Sequence, residues 1–275
     1  MSHDNEQSII SVRDLTVSSA AGELVHGISF DVPRRGSLGI VGESGSGKSL
    51  TCRSILGILP AGVGVAGGSI LFEGTDVTTL SYRDWQPIRG TRIAAVFQDP
   101  GSYLNPSIPV GKQLVEVLRV KSGLGRGLAR ARAIELFVSM GLRHPELVFR
   151  QYPHELSGGM LQRVLIAIAL AEDPEVLIAD EATTALDVTV QAEVLDVLAD
   201  LQAARELTLI LVSHDLAVVS QVCDRIIVLK DGEIVESGET ARVLRDPQHD
   251  YTRLLVENHE KYGIEKYLAP GLIDA

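Results

Sequence analysis

A short apolar stretch that runs directly into a glycine-rich loop constrains this chain more than any other feature. Residues 37–41 read Ser-Leu-Gly-Ile-Val, and Gly42-Glu-Ser-Gly-Ser-Gly-Lys48-Ser49 follows at once. This matches G-x-x-x-x-G-K-[ST] between a predicted strand and a helix predicted from Lys48 to about Ile58. The strand–loop–helix context disfavours the alternative of a chance glycine-rich turn. The pattern therefore predicts a phosphate-binding loop.

The chemistry of this loop suits a nucleoside triphosphate. Its glycines let successive backbone N–H groups point at a phosphate, and the positive end of the following helix adds to the attraction. Lys48 supplies a cation for the β- and γ-phosphates, and the hydroxyl of Ser49 can bind Mg²⁺.

Two adjacent carboxylates end a second apolar stretch, Val176-Leu-Ile-Ala-Asp180-Glu181. An apolar strand that ends in two acids is costly unless the acids have a function. Asp180 fits an acid that holds Mg²⁺ through its water shell, and Glu181 fits a base for the water that attacks the γ-phosphate. Solvated acids at a strand end are the alternative, but the phosphate loop favours the catalytic interpretation.

A histidine follows a third apolar stretch, in Ser213-His214-Asp215 after Leu207–Val212. Such a histidine can hydrogen-bond a γ-phosphate or a catalytic carboxylate, although a lone histidine is more often structural. Ligand sites of parallel sheets lie at the carboxyl ends of strands, where the loop, the acidic pair and His214 all fall. This convergence favours a functional role.

A further glycine pair opens a predicted apolar helix, in Leu156-Ser-Gly-Gly-Met-Leu-Gln-Arg163. A flexible loop before a helix N-terminus offers a second phosphate-binding position. Taken alone, the same residues are explained by a turn with an N-cap.

Composition excludes several classes of protein. The 275 residues are 45% hydrophobic and 22% charged, which is typical of a globular chain and not of a disordered or fibrous one. The net charge of −11 argues against nucleic-acid binding through a general basic field. Two distant cysteines, Cys52 and Cys223, provide neither a disulfide framework nor a metal cluster. We see no secretory signal and no apolar run near the ~20 residues that cross a bilayer, so we expect a cytosolic chain.

Strand-like and helical segments alternate at both ends of the chain, around a helical stretch from about Pro106 to Ala171. This alternation favours a mainly parallel sheet covered by helices. Asp231-Gly232 predicts a hairpin turn, and the polar stretch from Asp246 predicts an appendage. Strands are predicted at Ile9–Val17, Gly27–Val32, Ser37–Val41, Ser69–Phe72, Ile93–Phe97, Val176–Ala179, Leu207–Val212 and Arg225–Leu229, and a helix at about Thr189–Ala204.

Together these motifs resemble the ATPase subunit of an ABC transporter, over residues 9–246. LSGGMLQR is similar to the family's signature, Gln98 to its glutamine loop, and Asp187 to its interface loop. The resemblance implies an α/β fold: a RecA-like P-loop NTPase core with a mainly parallel sheet, an antiparallel β subdomain and an inserted α-helical subdomain. The implied domains are an ATP-binding core at 1–98 and 170–246, a helical signature subdomain at 99–169 and a C-terminal extension at 247–275.

The resemblance also implies the residues of an ATPase that uses ATP and Mg²⁺. The expected catalytic residues are Glu181, His214 and Gln98, and the expected Mg²⁺ residues are Ser49, Gln98 and Asp180, the last through water. ATP held by a partner subunit would be contacted by Ser157, Gly158, Gly159 and Asp187. ATP in the chain's own site would contact Gly42, Glu43, Ser44, Gly45, Ser46, Gly47, Lys48, Ser49 and Leu50.

Three segments resemble the oligopeptide, dipeptide and nickel importer group more narrowly: residues 99–106, 183–191 and 249–255. This implies a peripheral ATPase at the cytoplasmic face of the inner membrane, which energises import of peptides or of a related solute. The implied partners are two transmembrane permeases, a second ATPase subunit, for which a paralogue is favoured, and an extracytoplasmic solute-binding protein, with no nucleic acid. A permease helix would dock near Tyr103–Val110. Peptide, nickel, metallophore and opine all remain open as cargo.

The sequence departs from the family pattern in one place, and two alternative functions are to be weighed against the importer ATPase. Val17–Ala20 lacks the aromatic residue that stacks on adenine in most family members, so no adenine-stacking residue is assigned. A soluble ABC-type ATPase acting on ribosomes or DNA is disfavoured by the chain length and the acidic charge. A regulatory subunit that binds nucleotide but barely hydrolyses it is disfavoured by Glu181 and His214.

Overall fold

The computed structural model describes residues 8–182 and 186–260, and side chains through residue 258. Residues 183–185 of the importer-like segment and residues 261–275 of the predicted extension lie outside the described residues. The described strands are β1 (Ser8–Ser19), β2 (Gly22–Pro33), β3 (Ser37–Val41), β4 (Val63–Phe72), β5 (Thr75–Asp76), β6 (Ile93–Phe97), β7 (Val176–Asp180), β8 (Thr208–Ser213), β9 (Arg225–Lys230) and β10 (Glu233–Glu239).

The described helices connect these strands, and most of the longer ones lie between β6 and β8. They are α1 (Lys48–Ile55), α2 (Tyr82–Trp85), α3 (Val110–Lys121), α4 (Arg126–Ser139), α5 (Pro145–Val148), α6 (Gly158–Ala169), α7 (Val188–Arg205), α8 (Leu216–Val222), α9 (Thr240–Arg245) and α10 (Asp250–Glu260). Across the described ranges, none of them combines the length and apolar character that crossing a bilayer requires.

The chain divides into two compact units. The first is built from two segments, the one up to Arg83 and the one from Thr208 onward. It contains an antiparallel sheet in the order β2-β1-β4-β5. It also contains β3 between β8 and β9, parallel to both, so that Ile40 pairs with Val212 and with Ile227. All five residues of β3 are buried, as expected for a central parallel strand. The hairpin predicted at Asp231-Gly232 joins β9 to β10, and both turn residues have positive φ.

The second unit runs from Asp84 to Leu207 and holds the helical stretch. Its two strands, β6 and β7, are parallel, with Phe97 opposite Asp180. Apolar residues three and four positions apart predicted helices here. In α3 and α4 these apolar residues face the core, since Leu114, Leu118, Leu136 and Phe137 are all buried. Apolar periodicity therefore located this core correctly.

Several element ends differ from the prediction. β2 begins at Gly22 instead of Gly27, and β4 begins at Val63 instead of Ser69. α1 ends at Ile55 because Gly57 adopts φ +61° and a Schellman motif closes the helix, with N–H groups of Gly57 and Ile58 donating to Ser54 and Arg53. The two compact units meet at residues 83/84 and 207/208, whereas the predicted boundaries of the helical subdomain lie at 98/99 and 169/170. The predicted domains stay a prediction.

The stretch after Asp246 is not simply an appendage in its described part. Tyr251, Thr252 and Val256 of α10 are buried. These positions recur at helical spacing, so one face of α10 belongs to the core of the first unit.

Candidate active site

A close backbone approach shapes the glycine-rich loop between β3 and α1. A Cβ atom on Gly42 would lie 2.1 Å from the carbonyl oxygen of Leu229 in β9, so a side chain there would collide with fixed backbone. The loop ends at Gly47, which is the N-cap of α1 and supplies no capping side chain. A helix that starts in this way suits an anion at its N-terminus.

Lys48 is the first residue of α1, directly after this loop. Its side chain is buried, with the residue only 4% exposed, and its ammonium donates to the carbonyl oxygens of Gly42 at 2.7 Å and Glu43 at 2.8 Å. A buried ammonium is stable only where hydrogen bonds and nearby negative charge compensate its lost hydration. Phosphate oxygens provide both, so Lys48 fits the predicted ligand.

Ser46 adds an independent observation. Its hydroxyl oxygen is buried and has no hydrogen-bond partner, while its carbonyl accepts from the N–H of Gly232 at 3.2 Å. Buried hydroxyls are normally paired, and an unpaired one is expected where a polar ligand completes a site. The loop is thus built to receive polar atoms that the protein itself does not provide.

His214 stands at the same edge of the sheet as the loop. Val41, the last residue of β3, pairs with Ser213, the last residue of the adjacent parallel strand β8. Gly42 directly follows Val41 and His214 directly follows Ser213, so both lie at the carboxyl ends of these strands. The Ser213 hydroxyl accepts from the N–H of Asp215 at 2.9 Å, and the Asp215 carboxylate caps α8. These bonds fix the turn, and the His214 side chain is exposed.

The acidic pair lies in the second unit, at the end of β7. Asp180 is buried, and Glu181 is partly exposed with φ at +50°. A left-handed backbone on a residue other than glycine costs roughly 1–3 kcal/mol and is concentrated at functional sites. Gln98 directly follows Phe97, which pairs with Asp180, so Gln98 and Glu181 extend from the ends of two adjacent strands.

The signature residues and Asp187 are brought together in this unit. Ser157 is the N-cap of α6 and its hydroxyl accepts from the N–H of Met160 at 3.4 Å. Asp187 is the N-cap of α7 and accepts from Val190 at 3.0 Å. The N-cap alternative for Ser157 is therefore confirmed, and it leaves the predicted contact with a partner's ATP untested.

Sequence reasoning missed one residue at the loop. The hydroxyl of Tyr251 in α10 accepts a hydrogen bond from the backbone N–H of Glu43 at 2.9 Å. The only signal was the importer-like stretch at 249–255, to which no role was assigned.

Comparison with known proteins identifies the family. The model of the family described as "ABC transporter" matches residues 25–184. The chain is 45% identical to the oligopeptide transport ATP-binding protein OppD of Bacillus subtilis (strain 168), over 89% of this chain and 70% of OppD. It is 39% identical to the metal-staphylopine import system ATP-binding protein CntD of Staphylococcus aureus (strain NCTC 8325 / PS 47), over 92% of this chain and 94% of CntD.

A solved structure supports the same fold. It is a dimeric ATP-binding cassette in a post-hydrolysis state bound to ADP and Pi, with a TM-score of 0.75 and 26% identity, over 84% of this chain and 98% of the cassette. The predicted α/β P-loop NTPase fold is confirmed. The chain belongs to the ABC transporter family, as one of its ATP-hydrolysing subunits.

Proposed function

We propose that this chain energises the import of peptides, or of a related small solute, through a membrane transporter. The observation that carries the ATP-dependent step is the burial of the Lys48 ammonium at the glycine-rich loop, where it donates to the carbonyl oxygens of Gly42 and Glu43. The cargo class is supported by relatives that are named for oligopeptide transport and for metal-staphylopine import. Peptide, nickel, metallophore and opine all remain within this class.

The phosphate end of ATP is held by the loop from Gly42 to Leu50. Lys48 contacts the β- and γ-phosphates, and the first turn of α1 provides backbone N–H groups and a positive dipole end. The unpaired hydroxyl of Ser46 gives the loop one further donor. Because these groups lie on a short, closely packed loop, they are arranged before the nucleotide binds.

Ser49, Gln98 and Asp180 would hold Mg²⁺, with Asp180 acting through a water molecule. A hydroxyl, an amide and a carboxylate are the oxygen donors that this cation prefers. When bound, Mg²⁺ neutralises charge that develops on the phosphates.

Glu181 is the general base in this proposal. Its carboxylate accepts the proton of the water that attacks the γ-phosphorus, and the bond from that phosphorus to the oxygen it shares with the β-phosphate breaks. His214 donates a hydrogen bond to a γ-phosphate oxygen. The strained backbone at Glu181 supports this role, because it sets the direction of the side chain at an energetic cost.

The signature loop serves a second ATPase subunit. Ser157, Gly158 and Gly159, with Asp187, contact ATP bound by that subunit, which the importer resemblance favours as a paralogue. The exposure of Ser157, Gly158 and Asp187 supports this assignment, as does the dimeric state of the related cassette. Two permeases and an extracytoplasmic solute-binding protein complete the assembly, with this chain peripheral at the cytoplasmic face of the inner membrane.

A groove in the second unit fits a permease helix. A cavity of about 740 Å³ is lined mostly by apolar and aromatic residues, which include Phe97, Tyr103 and Ile108. Tyr103 is 54% exposed and stacks on Phe97 with ring centroids 5.9 Å apart. Exposed aromatic and aliphatic groups beside a concave surface are typical of a site that receives the apolar face of a partner helix.

The substitution Glu181→Gln tests the ATPase mechanism. It removes the base and keeps the size of the side chain, so we expect ATP binding to persist and turnover to fall by about 100-fold or more. The control is Glu233→Gln, because Glu233 is an exposed glutamate at the start of β10. Near-normal turnover of the Glu181→Gln chain would contradict the assignment of the base.

The importer assignment is tested by isolating the chain from native membranes in mild detergent and identifying its companions by mass spectrometry. We expect two polytopic permeases and a second ATPase. Recovery of the chain only from the soluble fraction, with ribosomes or DNA, would contradict the transport proposal and leave the ATPase assignment in place.

A further inference from the structure

The peptide unit between Gly42 and Glu43 is held from both sides. Its N–H donates to the hydroxyl of Tyr251 at 2.9 Å, and its carbonyl oxygen accepts from the ammonium of Lys48 at 2.7 Å. Because a peptide unit is planar, fixing its N–H also fixes the direction of its carbonyl. Tyr251 therefore sets the orientation of an acceptor that Lys48 uses.

The ring of Tyr251 is firmly placed. The residue is only 5% exposed, and the ammonium of Lys230 lies 5.2 Å from the ring centroid. The backbone N–H of Tyr251 donates to Nδ1 of His249 at 3.1 Å. A hydroxyl carried by such a packed ring is a fixed acceptor, and its hydrogen bond costs little side-chain entropy.

The segment that carries Tyr251 is anchored in turn by a buried carboxylate. Glu236 in β10 accepts from the backbone N–H of Gln248 at 3.0 Å and from that of His249 at 3.1 Å, and the guanidinium of Arg242 lies 4.0 Å away. Hydrogen bonds from backbone amides to a buried carboxylate are among the stronger ones in proteins. Glu236 thus locates the residues just before α10, and α10 locates Tyr251.

We propose that Tyr251 is a positioning residue for ATP, which acts through the Gly42–Glu43 peptide on Lys48, and that Glu236 acts through Tyr251. This inference rests on the proposed role of Lys48 in binding phosphate. It makes α10 a functional part of the nucleotide site, although the helix need not touch the nucleotide.

The test is ATP affinity of the full chain, measured by calorimetry with Mg²⁺ present, for Tyr251→Phe. This substitution keeps the ring and removes only the hydroxyl, so we expect the Kd for ATP to rise roughly threefold to tenfold. The midpoint of thermal unfolding without nucleotide should stay within about 2 °C of that of the parent. Tyr82→Phe is the matched control, because Tyr82 is 76% exposed.

Two further readouts separate positioning from general stability. Amide exchange at Glu43 should accelerate in Tyr251→Phe and remain unchanged in Tyr82→Phe. Glu236→Gln should also weaken ATP binding, and it should add little when combined with Tyr251→Phe, because both act through one hydrogen bond.

An unchanged Kd in Tyr251→Phe would overturn the inference, and so would a loss of affinity matched by an equal loss of stability without nucleotide. Lys48→Ala distinguishes this failure from failure of the proposed function. If Lys48→Ala abolishes ATP binding and Tyr251→Phe does not weaken it, only the inference falls. If Lys48→Ala leaves ATP binding intact, the role of Lys48 and the inference fall together.

Discussion

Gly159 in α6 and Val190 in α7 approach so closely that a Cβ atom on Gly159 would lie 2.2 Å from Cγ1 of Val190. The contact joins the signature loop to the first turn of the helix that Asp187 caps. A glycine in the signature therefore has a packing role, in addition to any contact it makes with nucleotide.

The pair predicts a compensating substitution. Gly159→Ala should lower the free energy of unfolding by about 1–3 kcal/mol, because an added methyl group overpacks the contact. Val190→Ala in the same chain should recover most of this loss. Urea unfolding of the two single variants and the double variant measures the effect, and a double variant no more stable than Gly159→Ala would contradict it.

Substitutions of Asp187 can separate its structural role as the cap of α7 from its proposed role at a subunit interface. Asp187→Ala removes the cap of α7 and should cost about 1 kcal/mol, whereas Asp187→Asn should cost little, because asparagine caps equally well. Chemical denaturation of the purified chain provides the comparison. A stable Asp187→Asn chain with reduced ATPase would support the interface role, and equal destabilisation by both substitutions would refute the cap as the cause.

The ionisation of Glu236 makes the free energy of unfolding depend on pH. Burial alone would raise the pKa of Glu236, but hydrogen bonds from the N–H groups of Gln248 and His249, together with the positive charge of Arg242, hold the pKa below the ordinary value of 4.5. A carboxylate with a lowered pKa stabilises the fold when ionised, and this contribution is lost as the pH falls through the lowered pKa.

The expected result is that the parent loses more stability than Glu236→Gln when the pH falls from 7 into the range below 4.5. Urea unfolding at the two ends of that range measures the difference, with Glu233→Gln as the control for loss of an exposed carboxylate. Parallel losses in the parent and in Glu236→Gln would show that Glu236 does not carry this pH dependence.

Gln113 holds the loop beside the apolar groove of the second unit. Its amide oxygen accepts from the N–H of Asn105 at 2.9 Å, and its amide nitrogen donates to the carbonyls of Asn105 and Ile108. Gln113→Ala should speed amide exchange at Asn105 by roughly tenfold, because the acceptor is lost. Gln113→Glu keeps that acceptor but loses the two donated bonds, so its exchange should lie between that of the parent and that of Gln113→Ala. Exchange at the parent rate in the alanine variant would contradict the assignment.

The contiguous parts of the candidate site could be predicted from the sequence. The phosphate loop, the acidic pair and His214 each follow an apolar strand, and strand ends are a local signal that hydrophobic pattern and residue type reveal together. The early start of β2 was missed, because residues 22–26 mix apolar and polar types without clear alternation.

Tyr251 could not be assigned for a different reason. Its partner is a backbone N–H, which every residue except proline possesses, so no residue type marks the other end of the bond. The close approach of Gly159 to Val190 is similar, since it depends on where α6 and α7 lie and not on either sequence alone. Contacts of this kind follow from tertiary packing and need the structure.

The bond from Glu43 to Tyr251 joins positions 208 residues apart, and this separation matters during synthesis of the chain. The loop, its strand and its helix leave the ribosome well before Tyr251 does. The hydrogen bond from Tyr251 can form only when residue 251 has emerged. A nascent chain therefore carries a phosphate loop that lacks this restraint while the intervening residues are translated.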